Sequence, residues 1–141
     1  MQGTIRSYDV AAEERCIARI EKICKEIASG MDCRAEVSFD RTYPAVINHK
    51  TETEHIKRLG AKWFGPQHLS EDDLPISGSE DFSFFLQERP GCFFTLGTRK
   101  EGTPLRTVHT SDYNFNDDMV ATAGYFYIRI LEDRLGIKIL K

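Results

Sequence analysis

The 141-residue sequence lacks several features that mark common classes of protein. It contains no block of basic residues and its net charge is −3, so neither nucleic acid nor an anionic membrane surface is indicated as a partner. No apolar run approaches the roughly 18 residues that a membrane span needs. Residues 1–6 carry no apolar segment of signal-peptide type, and we therefore expect a cytoplasmic protein.

Several catalytic signatures are also missing. The sequence has no nucleophile elbow, no phosphate-binding glycine loop and no H-E-x-x-H motif, which removes the usual sequence signs of serine hydrolases, P-loop enzymes and zincins. The four cysteines form no C-x-x-C pair and are sparse for this length. Reduced thiols, as in a cytosolic compartment, are the expectation.

Alternating helix and strand patterns are present in the first third of the chain. Asp9 is placed to cap a helix that carries an apolar stripe and ends near Gly30. Residues 4–8 and 35–39 have the composition or two-residue alternation of strands. This stretch therefore predicts a β-α-β unit, in which a helix lies on a small sheet.

The remainder of the chain predicts three more helices and one buried strand. In chain order these are a helix capped by Thr51 with Glu54 and ended by Gly65, a helix capped by Ser79 and ended by Arg89, a strand at 92–96, and a helix that runs from a cap at Asn116 to about Leu135. With nine Phe, five Tyr and one Trp, the chain has the apolar material for a core. The fold class predicted is α/β.

His109 is the strongest candidate for chemistry, because a neutral imidazole on a loop before a helix is a good ligand for zinc or a similar metal. The alternative is a surface histidine bonded to a nearby carboxylate. Glu80 and Asp81 are candidates for catalytic carboxylates at the start of a helix. The alternative is that they only stabilise the helix through its dipole. The other three histidines show no ligand spacing, and His55 is expected to be solvated or half-buried.

Six motifs in a fixed order resemble the C-terminal part of one family. They are GTIRSYD at 3–9, YPAVIN at 43–48, GSEDFS at 78–83, PGCFFTLG at 90–97, HT at 109–110 and NFNDD at 114–118. The sequence is similar in these motifs to the aminoacylase/carboxypeptidase family of dinuclear metal amidohydrolases, in its hippurate-hydrolase and auxin-conjugate-hydrolase branch. The resemblance covers essentially the whole chain.

The resemblance implies two domains and a set of site residues. Residues 1–49 resemble the second half of an α+β lid or dimerisation domain, and residues 50–141 the final α/β segment of the catalytic domain, with helices packed on partial mixed sheets. His109 occupies the place of a metal ligand, and Ser79 and Glu80 belong to a loop that lines the site. Arg6 and Asn48 match lid positions that face substrate. The implied substrates are N-acyl amino acids or small peptides, and the implied metal is zinc, or else manganese or cobalt.

The sequence departs from the family in lacking most of the active site. A complete member carries an H-x-C-G-H-D-type metal motif, a Glu-Glu pair that provides the general base, and a further ligand histidine, none of which occurs here. We identify no catalytic base and expect an incomplete metal site that hydrolyses nothing unaided. The alternatives are a non-catalytic structural subunit derived from such an enzyme, and a small independent metal-binding domain. An unpaired sheet edge predicts association with a second copy or with an N-terminal partner polypeptide.

Overall fold

The chain forms four α-helices and one short 3₁₀ helix in a computed structural model that describes residues 1–72 and 74–140. The helices are α1 (Val10–Ser29), α2 (Lys50–Phe64), α3 (Phe82–Glu88) and α4 (Asp118–Leu135), and the 3₁₀ helix is Pro66–His68. The chain divides into two compact units. The first contains Met1–Ile47 and Asp73–Pro90, and the second contains Asn48–Asp72 and Gly91–Lys141.

Helix α1 of the first unit confirms its predicted start and end. The Asp9 carboxylate accepts hydrogen bonds from the backbone N–H groups of Ala11 at 2.8 Å and Ala12 at 3.3 Å, which satisfies two of the free donors of the first turn. Gly30 is the C-cap. None of the α1 residues is buried within the described chain, so the apolar stripe of this helix is left largely open.

The rest of the first unit is organised around α3. Its buried side chains are Leu86, which is 6% exposed, and Ser83, which is fully covered. Ser79 was predicted to cap this helix, and that prediction is wrong: the N-cap is Asp81, which makes no side-chain capping bond. The Ser83 hydroxyl instead donates to the Glu80 carbonyl at 2.6 Å, which ties the residues before the helix to its first turn.

The second unit holds its core between α2 and α4. Leu59 is fully buried and Phe126 is 3% exposed. The Phe126 ring lies 5.1 Å from that of Phe64 and 5.5 Å from that of Phe94, at angles typical of favourable aromatic pairs. Phe126 thus joins Phe64 of α2 to Phe94, and the segment that contains Phe94 lies against α4.

The observed N-caps of α2 and α4 differ from the predicted ones. Helix α2 begins at Lys50 and has His49 as its N-cap, so Thr51 lies inside the helix rather than at its cap. Helix α4 has Asp117 as its N-cap, and the side chain of Asn116 donates to the Thr98 carbonyl at 3.0 Å instead. Gly136, with φ of 64°, ends α4 in the left-handed conformation, as the sequence predicts.

Within residues 1–72 and 74–140, no strand is assigned at 4–8, 35–39 or 92–96. A strand is defined by a ladder of hydrogen bonds to a neighbouring strand. Segment 92–96 is bonded along one edge by a side chain rather than by a ladder, through Asn48. The helical part of the predicted α/β fold is therefore confirmed, whereas its partial mixed sheets are not.

Candidate functional site

His109 lies on an exposed turn in the loop between residues 97 and 117. Its φ is 68°, a left-handed backbone conformation that is uncommon outside glycine, although histidine is among the residues enriched in it. The Thr110 hydroxyl donates to the Thr107 carbonyl at 2.8 Å across the turn. An unusual conformation held by local bonds is often found where a side chain has a function, and it directs attention to this imidazole.

Two further contacts fix the sides of this turn. Arg106 donates to the carbonyl of Asp112 at 2.7 Å and lies 3.7 Å from its carboxylate. Tyr113 packs edge-on against Phe115, with ring centroids 4.9 Å apart. The backbone on either side of His109 is thus held together by residues of the same loop.

The two ends of the loop are joined next to the start of α4. The side chain of Asn116 donates to the Thr98 carbonyl, and Lys100 forms an ion pair of 2.8 Å with Asp118. The hydrogen bond from Lys100 and its charge hold the pKa of the Asp118 carboxyl below its usual value. The amide oxygen of Asn116 is buried and has no hydrogen-bond partner in the described part of the chain, so the loop retains an acceptor for a group outside it.

The donor set around His109 does not by itself fit a metal ion. An imidazole is a suitable ligand for zinc, but a protein site for zinc needs at least three protein ligands. Across residues 1–72 and 74–140, no three His, Cys, Asp or Glu side chains are placed to hold an ion together. The described chain therefore offers His109 as a single candidate ligand, and the alternative of an independent metal-binding domain finds no support in it.

Three of the four predicted substrate-facing residues lie in the first unit. Arg6 and Ser79 are exposed, and Glu80 is half-buried. The Tyr8 hydroxyl donates to the Ile76 carbonyl at 2.6 Å, which joins the segment that carries Arg6 to the segment that carries the other two. Their role in substrate binding stays a prediction.

Asn48, the fourth predicted substrate-facing residue, lies in the second unit beside the segment that follows α3. Its side-chain amide accepts a hydrogen bond from the N–H of Phe93 and donates to the Phe93 carbonyl, both at 2.8 Å. Both polar atoms of the side chain are thus engaged by the backbone of one residue. The next residue, His49, donates its N–H to the Gly91 carbonyl and accepts from the Gly91 N–H through Nδ1. Together the four bonds hold residues 91–93 against the start of α2.

A charge cluster between α2 and α4 was not predicted. Asp133 accepts from His55 Nε2 at 2.8 Å and from Arg58 at 2.7 Å, and these two partners hold the pKa of the Asp133 carboxyl below its usual value. Arg134 pairs with Glu52 in the same region. The His55 side chain is 10% exposed and the residue is half-buried, which is one of the two alternatives that the sequence indicates. Helical spacing placed these residues on their helices, but no local pattern shows which residues of two distant helices meet.

A second cluster fixes the end of α4. The Arg129 guanidinium lies over the rings of Trp63, at 4.3 Å, and Tyr125, at 4.7 Å, and pairs with Glu132 at 2.5 Å. The Glu132 carboxylate also accepts from the backbone N–H groups of Ile139 and Leu140. The bond from Leu140 and then that from Arg129 lower the pKa of Glu132 to about 2. This arrangement anchors the segment after Gly136 to the helix and is structural rather than catalytic.

Cys92 does not provide an activated nucleophile. All four cysteines are free thiols, and burial raises the pKa of the Cys92 thiol. A raised pKa leaves less of the reactive thiolate at neutral pH. Cys92 instead lines a cavity of about 190 Å³ in the second unit, together with Phe94 and side chains from α2 and α4.

Comparison with known proteins decides the family. Residues 3–133 match the model of the Peptidase family M20/M25/M40. The chain belongs to this family. The match covers nearly the whole sequence, and it confirms the resemblance to metal-dependent amidohydrolases that the ordered motifs indicate. Members of the family are generally metal-dependent.

Relatives within the family carry names of related hydrolases. The chain is 30% identical to thermostable carboxypeptidase 1 of Saccharolobus solfataricus over 85% of its own length and 30% of the relative. It is 25% identical to the hippurate hydrolase of Campylobacter jejuni over 98% of its length and 34% of the relative. It is 28% identical to the IAA-amino acid hydrolase ILR1-like 4 of Arabidopsis thaliana over 84% of its length and 28% of the relative.

The chain spans about a third of the length of three of the curated relatives that it matches, between 30% and 34%. No solved structure matches it significantly. Among the described helices, none combines the length and the apolar character that crossing a membrane requires.

Proposed function

We propose that the chain forms the C-terminal part of a metal-dependent amidohydrolase that cleaves N-acyl amino acids or small peptides. The family match supports the reaction class. The names of three relatives, a carboxypeptidase, a hippurate hydrolase and an IAA-amino acid hydrolase, all denote hydrolysis that releases an amino acid. When bound, the metal of such an enzyme supplies an activated water for attack on the amide carbonyl.

The placement of His109 is the observation that carries the proposal. Within the stretch that matches the family, this histidine has an exposed side chain on a left-handed turn braced on both sides. A ligand must be held in a fixed orientation, and a braced loop provides this. We assign His109 as one ligand of a zinc ion, with manganese or cobalt as the alternative metals.

Arg6, Ser79 and Glu80 are the side chains that we propose to face the substrate. The exposed Arg6 guanidinium suits a substrate carboxylate, because its planar donors bind both oxygens at once. Asn48 remains in the proposed set, although its amide is bonded to Phe93 and thereby positions that segment. In this proposal residues 1–49 belong to a lid and residues 50–141 to a catalytic domain, and their strands complete mixed sheets in the assembled enzyme.

The proposed enzyme requires residues outside this sequence, of the same or of a partner polypeptide, that provide the other metal ligands and the general base. The exposed surface supports this requirement. The chain exposes 11903 Å², whereas a compact monomer of its mass exposes about 7,400 Å² and two separate domains of half that mass about 8,900 Å² together. The excess is large whether the two units are counted as one body or as two. We place the assembled enzyme in the cytoplasm.

Complementation tests the proposal. We define a complement as the part of a relative that the chain does not match, and we take complements from the Saccharolobus carboxypeptidase, the Campylobacter hippurate hydrolase and the Arabidopsis hydrolase. Each is mixed with the chain and zinc, and amino acid release from N-acyl amino acids and dipeptides is measured. We expect hydrolysis with at least one complement and none by the chain alone. Absence of hydrolysis with all three contradicts the proposal.

A matched histidine pair separates a ligand from a bystander. His109→Ala is expected to lower the rate by at least about a thousandfold, as for a group that supports the reacting centre. His68→Ala removes another exposed histidine, from the 3₁₀ helix, and is expected to leave the rate unchanged. Equal effects of the two substitutions contradict the assignment of His109.

The second candidate is a non-catalytic subunit that keeps the family fold for assembly. The observation that favours it is the lack of any three-residue ligand group in the described chain. It predicts that complements bind the chain without hydrolysis, and that His109→Ala leaves the metal content of the complex unchanged.

A further inference from the structure

The ring of His49 is held in one tautomer by its contact with Gly91. The Nδ1 atom accepts a hydrogen bond from the Gly91 N–H at 3.2 Å, while the His49 N–H donates to the Gly91 carbonyl at 3.0 Å. A ring nitrogen of histidine accepts a hydrogen bond only when it carries no proton. The proton of the neutral ring is therefore on Nε2.

Protonation of this ring is incompatible with the contact. An imidazolium carries a proton on both nitrogens, so Nδ1 would direct an N–H at the N–H of Gly91. The hydrogen bond would be lost, and two donors would face each other in its place. Because the bond requires the unprotonated ring, it is present at higher pH and is lost as the pH falls. Histidine is the side chain that ordinarily changes charge between about pH 5 and 8.

The groups around His49 do not favour a positive charge on the ring. His49 is half-buried and is the N-cap of α2, where the helix dipole disfavours a cation. Glu52, the acidic residue of the first turn, is already paired with Arg134 of α4, and Lys50 is a further cation. In the facing segment the titratable side chain is Cys92, whose pKa is raised by burial, so this thiol is uncharged at neutral pH.

The neighbouring attachment of the same segment does not titrate. The Phe93 N–H donates to the amide oxygen of Asn48 at 2.8 Å, and the amide nitrogen of Asn48 donates to the Phe93 carbonyl at 2.8 Å. A side-chain amide keeps its donor and its acceptor when the pH changes in this range. Protonation of His49 therefore weakens the attachment at Gly91 and leaves the one at Phe93 intact.

We propose that His49 is a pH-sensitive contact, which fastens segment 91–93 to the start of α2 at neutral pH and loosens it in mildly acid solution. The loosening is partial, because the bond from the His49 N–H to the Gly91 carbonyl does not depend on the ring. Cys92 lies between the two attachment points and lines the cavity of the second unit, so the change reaches this cavity. The contact lies within the second unit and acts whether or not the chain contributes to an amidohydrolase.

Amide hydrogen exchange of the full chain, followed by NMR, measures the two attachments separately. Protection is compared at about pH 7.5 and about pH 5, after correction for the intrinsic exchange rate at each pH. On acidification the protection of Gly91 should fall by about two- to tenfold relative to that of Phe93, which is the range that the net value of one hydrogen bond allows.

The NMR signals of the His49 ring nitrogens give the protonation state in the same samples. The proton should be on Nε2 at the higher pH and on both nitrogens at the lower pH. A ratio of Gly91 to Phe93 protection that stays constant while His49 becomes protonated overturns the proposal. A ring that carries its proton on Nδ1 at the higher pH, or that remains neutral at the lower pH, also overturns it.

Three variants separate the ring from other titrating groups. His49→Asn keeps an acceptor near the position of Nδ1 that cannot be protonated, and asparagine is a favoured N-cap, so α2 should still form. Gly91 should then be protected equally at both pH values. His49→Ala has no acceptor and should leave Gly91 weakly protected at both. The matched control His68→Asn removes an exposed histidine of the 3₁₀ helix and should keep the pH dependence of the original chain.

Urea unfolding, followed by the fluorescence of Trp63 in α2, tests the effect on the second unit. The pair of His55 and Asp133 also titrates, but it is common to the original chain and the variants and cancels in their comparison. Relative to His49→Asn, the unfolding equilibrium constant of the original chain should rise by about two- to tenfold between about pH 7.5 and about pH 5. If His49→Asn does not fold, His49→Ala provides the same comparison. An equal ratio at both pH values, or a Gly91 protection that still falls with pH in the variant, overturns the assignment to His49.

Discussion

Replacement of Asn48 by alanine should weaken the second unit, because this one side chain holds both backbone groups of Phe93. The substitution removes two hydrogen bonds of 2.8 Å to the N–H and C=O of Phe93. Each such bond has a net value of about 0.5–1.5 kcal/mol. Asn48 is exposed, so water replaces part of what is lost, and we expect the lower half of the summed range, about 1–2 kcal/mol.

The assay is urea unfolding followed by the fluorescence of Trp63. This is the sole tryptophan of the chain, and it lies in α2 beside Tyr125 of α4, so its emission reports on the second unit. With a denaturant dependence of about 2 kcal/mol per molar urea, the midpoint should fall by about 0.5–1 M. The corresponding decrease in Tm is about 3–7 °C for a chain of this length.

Two control variants define what would refute this reasoning. Asn114→Ala removes an exposed asparagine that has no hydrogen bond in the described structure, and its free energy of unfolding should stay within about 0.5 kcal/mol of the original. Asn48→Asp keeps the acceptor for the Phe93 N–H but replaces the donor by a second oxygen that faces the Phe93 carbonyl. It should therefore be at least as destabilising as Asn48→Ala. A midpoint for Asn48→Ala equal to that of Asn114→Ala contradicts the assignment of a structural role.

Three further predictions concern the charges and the glycines. The stability contributed by Asp133 should be present above the ordinary aspartate pKa and lost as the pH falls through its lowered pKa. Asp133→Asn should therefore reduce the dependence of the free energy of unfolding on pH in the acid range, as measured by urea unfolding. The pKa of Glu132 is lowered from 4.5 to about 2, so its contribution should decline across that interval, and Glu132→Gln should remove this decline and speed amide exchange at Ile139 and Leu140. Gly65→Ala should lower the Tm more than Gly136→Ala, because φ of 92° with ψ of 145° is a conformation almost confined to glycine, whereas the left-handed conformation of Gly136 costs alanine about 1 kcal/mol. A pH dependence unchanged in both acid variants, or equal Tm values for the two glycine variants, would count against these assignments.

Local sequence signals predicted the helices well where the cap is also local. Asp9 and Gly30 delimit α1 as expected, because the bonds that satisfy the helix ends come from residues next to them. The N-caps of the other helices were misplaced, and at α4 a distant residue takes the side chain that was expected to cap the helix. Asn116 bonds to Thr98, 18 positions away, instead of capping α4.

The strands and the site could be predicted less completely. A two-residue alternation indicates an extended segment, but only a partner strand makes a ladder, and in the described residues the amide of Asn48 takes that place at Phe93. The sequence identified His109 by residue type and by family resemblance, but its left-handed φ and the bonds that brace its turn depend on side chains that no spacing rule connects. The pairing of His55 with Asp133 joins residues 78 positions apart and has no local signature.

The metal content of a purified complex of the chain and a complement tests the central claim most directly. We expect the complex to bind zinc, and His109→Ala to lose affinity for one ion while His68→Ala retains the full content. The measurement is made by elemental analysis after dialysis against buffered zinc. Equal zinc content in the original complex and in the His109→Ala complex would contradict the account.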